Sequence, residues 1–116
     1  MRFLTFLVVI WAGSAAADTP VVTAVNASPS GDRWRFDVTV RHADTGWDHY
    51  ADGWGVFDAD GAELGFRKLL HPHVNEQPFT RSLAGVELPS GTAEVWVKAH
   101  DLVHGWGDAV LVPLPN

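Results

Sequence analysis

The chain has 116 residues, with 14 Asp and Glu against 8 Lys and Arg and no cysteine. Such a balance excludes long-range attraction to phosphate backbones or anionic lipid, and the lack of thiols excludes disulfides and cysteine-ligated metal. Cations are the more natural partners, although solubility alone accounts for the acidity.

Residues 1–17 read as a secretory leader: Arg2, an apolar run from Phe3 to Trp11, then small residues ending Ala15-Ala16-Ala17. The mature chain is expected to begin at Asp18 and to be periplasmic or secreted, with no membrane insertion once the leader is gone. The apolar run is too short to span a bilayer. No cysteine stands near the cleavage point to accept a lipid. The remaining 18–116 is one domain of roughly 100 residues, enough for a single core.

In chain order, Val21-Val22-Thr23-Ala24-Val25 predicts a short strand, ended by the turn formers from Asn26 to Asp32. From Arg33 to Arg41 the apolar Trp34, Phe36, Val38 and Val40 alternate with polar residues, the period of a strand with one wet face. A loop is expected over 42–53. Strands follow at Trp54–Phe57 and Ala62–Leu69, joined by Asp58-Ala59-Asp60-Gly61, a hairpin turn signal. The stretch from His71 to Pro78 breaks strand character, Phe79–Leu83 resumes it, and Thr92–Ala99 alternates with Ala93, Val95, Val97 and Ala99 on one face. After a loop over 100–108, Ala109–Val112 closes the set. About seven short strands separated by Gly, Pro and Asp turns predict an all-β, immunoglobulin-like or fibronectin-like two-sheet sandwich, with a small barrel as the alternative.

If strands run up and down, the long loops 42–53, 70–80 and 100–108 share one end. They hold all 6 histidines (His42, His49, His71, His73, His100 and His104), several carboxylates including Asp44 and Asp101, and no Lys or Arg. Imidazoles and carboxylates free of competing ammonium groups suit a divalent transition metal. His71-Pro72-His73 is the sharpest part: proline extends the residue before it, and positions two apart in an extended chain point the same way, so the rings can form a pincer. Further ligands are expected from His42, Asp44, His49, Asp101 or His104. The single Met is Met1, so soft sulfur sites are excluded and Zn(II) or Cu(II) is favoured; calcium fits less well, because the EF-hand spacing is missing. A structural hydrogen-bonded network and a pH-responsive cluster are the competing readings.

Trp34 is expected in the core. Trp47 and Trp106, beside Tyr50, are expected to cover the open end of the core or to floor a ligand site, and Trp96 falls on the polar face of its strand. No nucleophile elbow, phosphate loop or dinucleotide fingerprint is present, so an enzyme is the weaker expectation.

The segments Arg41–Trp54, His71–Arg81 and Ala99–Gly105 resemble an uncharacterised group of small exported bacterial proteins with a sandwich of this kind. The resemblance implies export and one compact domain, and brings no activity or ligand. Periplasmic copper-binding sandwiches are similar in fold and compartment only. The sequence therefore predicts an exported binding domain with a His/carboxylate loop end for Zn(II) or Cu(II). The alternative is a non-enzymatic interaction module for a protein or an envelope glycan.

Overall fold

The structure, a computed structural model, describes residues 19–115; the expected leader and its cleavage point lie outside the described residues. Eight strands follow one another: β1 (Val21–Ser30), β2 (Arg33–Arg41), β3 (Ala51–Phe57), β4 (Glu63–Lys68), β5 (Phe79–Val86), β6 (Glu94–Asp101), β7 (Gly105–Trp106) and β8 (Val110–Pro113). They form two antiparallel sheets, one ordered β1-β2-β5 and the other β4-β3-β6, with β7 and β8 both on the far side of β6. This is the two-sheet sandwich the alternation predicts. Its fourth strand pairs with β3 in the second sheet, whereas in immunoglobulin constant domains the fourth strand belongs to the first sheet.

The alternation along β2 is realised residue by residue. Phe36, Val38 and Val40 are fully buried, and the outer rungs are tied by polar contacts: Arg35 Nε to Asp37 at 3.0 Å and Thr39 to Thr80 at 2.8 Å. Opposite them stand Val95, Val97 and Ala99 of β6 with Trp54 and Val56 of β3, all fully buried. Each such large apolar side chain contributes about 1.5–3 kcal/mol on leaving water. Trp34 packs against this core while only partly buried.

Several boundaries differ from the sequence expectation: β5 runs on to Val86 rather than ending at Leu83, β6 spans Glu94–Asp101 rather than Thr92–Ala99, and three further differences have a visible cause. β1 runs on through Asn26–Ser30, because the hairpin turn is confined to Gly31 and Asp32, with Gly31 at φ 64° and Ser30 opposite Arg33. Pro29 is accommodated because β1 pairs on one side only. β3 begins at Ala51, inside the stretch read as loop, and β7 is a two-residue strand formed where Trp106 lies opposite His100.

Trp106 consequently sits on the outer face of the second sheet, edge-on to Phe57 at 5.2 Å and His100 at 4.9 Å between ring centroids. Gly53 makes room there, since a Cβ at that position would lie 2.2 Å from Phe66 Cζ. Trp96 is half-buried on the same face.

The loops after β2, β4 and β6 meet at one end, as the up-and-down order requires. Leu102 N donates to Tyr50 O at 3.3 Å and Leu69 N to Asp52 O at 2.9 Å. The chain also enters at this end, where Val21 pairs with Arg41 and the Pro20 carbonyl packs so close to Gly107 that a Cβ there would sit 2.2 Å from it.

Candidate metal centre

The inward phase of β2 continues past the strand: after Phe36, Val38 and Val40, the residues His42 and Asp44 are also buried while Arg41 and Ala43 are exposed. β6 behaves the same way, with Asp101 following Val95, Val97 and Ala99 as a fully buried rung. Two strands thus deliver two carboxylates and an imidazole to the open end of the core.

Asp101 is the hub. Its Oδ1 accepts the backbone N–H groups of Val103, at 2.8 Å, and of His104. Its Oδ2 lies 3.0 Å from His42 Nε2, 3.4 Å from His49 Nε2 and 3.2 Å from His104 Nδ1. The His42 and His49 rings meet edge-on at 4.8 Å, and His49 and His104 lie 5.0 Å apart. The site opens to solvent on one side, with the His49 and His104 side chains 22% and 34% exposed and those of His42 and Asp101 at 0%.

Asp44 backs the site. Its Oδ1 meets His42 Nδ1 at 2.5 Å and accepts Ala51 N–H at 3.1 Å, and its Oδ2 accepts His73 N–H at 2.7 Å. Gln77 ties the third loop in, accepting His42 N–H at 2.9 Å and donating to His73 O at 2.8 Å. His42 therefore faces a carboxylate through each ring nitrogen, although a neutral imidazole carries one N–H only.

Burial raises the Asp101 carboxyl, but the amides of His104 and Val103 and the rings of His104 and His49 outweigh it, leaving it at about 2 against an ordinary 3.8. A carboxylate depressed in the fold stabilises it above the unfolded value and ceases to do so as pH falls toward the folded one. Metal-free protein is accordingly expected to lose about 2 kcal/mol between pH 4 and pH 2 from this group, visible as a falling midpoint in melts across that range. An Asp101→Asn variant should lack that component.

His71 and His73 are side by side, ring centroids 4.6 Å apart, but apart from the cluster. His73 is buried, stacks on Phe79 at 3.9 Å, and receives Arg81 Nη2 on its Nε2 at 2.9 Å. Arginine can only donate, so the neutral ring carries its proton on Nδ1, 4.0 Å from Asp44 Oδ2. Burial first, then the Arg81 charge, holds His73 below the usual imidazole value. His71 is exposed, its Nδ1 3.1 Å from Pro72 O. His100, not among the expected ligands, pairs with Asp52 at 2.6 Å on the outer face. Among the described residues, the group whose donor atoms all lie within 4.8 Å of one another is His42, His49 and Asp101, with His104 alongside.

The four side chains His42, His49, His104 and Asp101 were all among the sequence candidates. The supporting role of Gln77 was not foreseen; its place one residue before Pro78 in the polar loop offers no signal of it.

No family model matches the chain, and no solved structure matches it. Over 92 residues it is 45% identical to a protein of Halomicrobium mukohataei named "Putative lipoprotein", an alignment that takes in 79% of this chain and 45% of that protein. The chain thus spans about half the length of this relative.

Proposed function

We propose that the protein is an exported binding domain whose loop end holds one divalent transition ion, Zn(II) or Cu(II), between His42, His49, His104 and Asp101. The observation that carries this reading is the spacing of the donors. Ligands at about 2.0–2.1 Å in a tetrahedron stand about 3.3 Å from one another; His42 Nε2 and His49 Nε2 lie 3.0 and 3.4 Å from Asp101 Oδ2, the donors of these three residues all fall within 4.8 Å of one another, and His104, whose Nδ1 is 3.2 Å from the same oxygen, moves in as the fourth ligand. Asp44 on the back of His42 is the carboxylate that commonly fixes the tautomer of a ligating histidine and turns its other nitrogen to the ion.

The name of the relative supports placement at the cell envelope. For this chain we infer export through the leader at residues 1–17.

Melts of the chelator-stripped chain with Zn(II), Cu(II) or Ca(II) test the proposal. A matching metal at 100 times its Kd is expected to add about 2.7 kcal/mol, a rise of roughly 10 °C or more in a domain of this size. The His42→Ala, His49→Ala pair should lose that rise and the His71→Ala, His73→Ala pair should keep it. No rise with any metal would favour the interaction-module reading of the same loops.

A further inference from the structure

Two buried donors stand side by side without an acceptor. Among the described residues, Trp54 Nε1 and Arg67 Nε are closed to solvent and make no hydrogen bond. The two residues are directly opposite each other on β3 and β4, so their Cβ atoms lie on one face about 4.5–5.5 Å apart. Trp54 is fully buried, which places that face toward the core and turns Arg67 inward from the edge strand of its sheet. The Arg67 guanidinium has no hydrogen bond, ion pair or ring contact with any described residue. A buried charged donor left without a partner is costly, and native structures nearly always supply one.

A second guanidinium stands at the same level across the sandwich. A Cβ on Gly65 would lie 3.1 Å from Leu83 Cδ2, which sets those two residues on one rung between the edge strands β4 and β5. Two residues nearer the loop end, onward along β4 and back along β5, come Arg67 and Arg81. Arg81 also faces inward, being opposite the buried Val38. Its Nη1 donates to Thr80 O at 2.8 Å, and its Nη2 lies 3.4 Å from Glu76, whose side chain is 61% exposed. Two guanidinium groups thus share a rung with one peripheral carboxylate, and the rung keeps a net positive charge.

We propose that the edge between β4 and β5 binds the carboxylate of a small organic acid, held between the Arg67 guanidinium and the Trp54 indole N–H. A planar guanidinium matches a planar carboxylate through two parallel N–H···O bonds, and a carboxylate oxygen keeps a lone pair for the indole. Phosphate fits less well, because a dianion taken out of water there would meet too few donors. The apolar remainder of the acid has a place to lie: a groove of about 320 Å³ runs along the same edge, lined by Gly65 and Leu83 and onward by Leu64, Val86 and Arg33. Each of β4 and β5 is paired on one side only, so the edge can part to admit a ligand to donors that are closed to solvent. An inward-pointing charge on an edge strand also discourages pairing between copies, but that role leaves the Trp54 donor unexplained. The site shares no residue with the metal centre.

Chelator-stripped, isotopically labelled protein is titrated with sodium butyrate, sodium phosphate and sodium chloride at matched ionic strength and neutral pH, while the assigned indole N–H resonances of the tryptophans are followed by NMR. Butyrate is expected to move the Trp54 indole proton downfield to a saturating limit, whereas phosphate and chloride leave it in place. Arg67→Met, which keeps an unbranched side chain at the inward position, should weaken butyrate binding about tenfold or more. Lys68→Met, at an exposed position of the same strand, should leave it unchanged. A Trp54 resonance that butyrate does not move would overturn the proposal, as would a shift that survives Arg67→Met. An equal shift with phosphate or chloride would show a general response to anions and overturn it as well.

Discussion

Replacing Asp101 with alanine is expected to cost about 3–5 kcal/mol of folding stability and to abolish metal-dependent stabilisation altogether. The side chain is fully buried, accepts the Val103 and His104 amides and lies against the ring nitrogens of three imidazoles. Removing one member of a buried charged network leaves its partners desolvated and unpaired, which is why the cost exceeds that of a single hydrogen bond. For a domain of this size the melting midpoint should fall by roughly 12 °C or more. Asp101→Asn keeps an oxygen for the two amides and should recover part of the stability, yet it lacks the charge that draws a cation. A midpoint for Asp101→Ala within a few degrees of the parent would show that the hub does not hold the loop end together.

Asp44→Ala carries the second large effect, and its signature is different. Asp44 touches no proposed metal position; it holds His42 from behind through Nδ1 and anchors the His73 and Ala51 amides. Losing such a supporting carboxylate lowers metal affinity by about 10–100-fold, so calorimetric titration with Zn(II) should still show one site, but a weaker one. The three loops should also loosen, because the amide of His73 loses its acceptor. An unchanged Kd in a folded Asp44→Ala variant would mean that His42 is not a ligand.

Much of this fold is written in the period of two. β2 was bounded correctly at Arg33 and Arg41 because nearly every second residue there is apolar and the others are polar. The ends of β1 and the existence of β7 were not legible for a common reason: Asn26–Ser30 and Gly105-Trp106 have turn-forming composition, and only pairing with a neighbouring strand makes them extended. Convergence of the histidine loops followed from strand order alone. Within them, the sequence held a finer signal than loop composition: His42 and Asp44 continue the inward phase of Phe36, Val38 and Val40, and Asp101 that of Val95, Val97 and Ala99. The pairing of His71 and His73 follows from their spacing, as expected, and the rings are neighbours. What spacing cannot reveal is that Phe79 and Arg81 from β5 engage His73, since those contacts depend on how the loop folds back over the sheet.

The measurement that bears most directly on the central claim is diffraction from crystals of the Zn(II)-loaded chain at the zinc absorption edge. The account predicts a single anomalous peak about 2.0–2.2 Å from His42 Nε2, His49 Nε2, His104 Nδ1 and Asp101 Oδ2. An empty cluster with the zinc bound at His71 and His73, or with no ordered zinc at all, would contradict it.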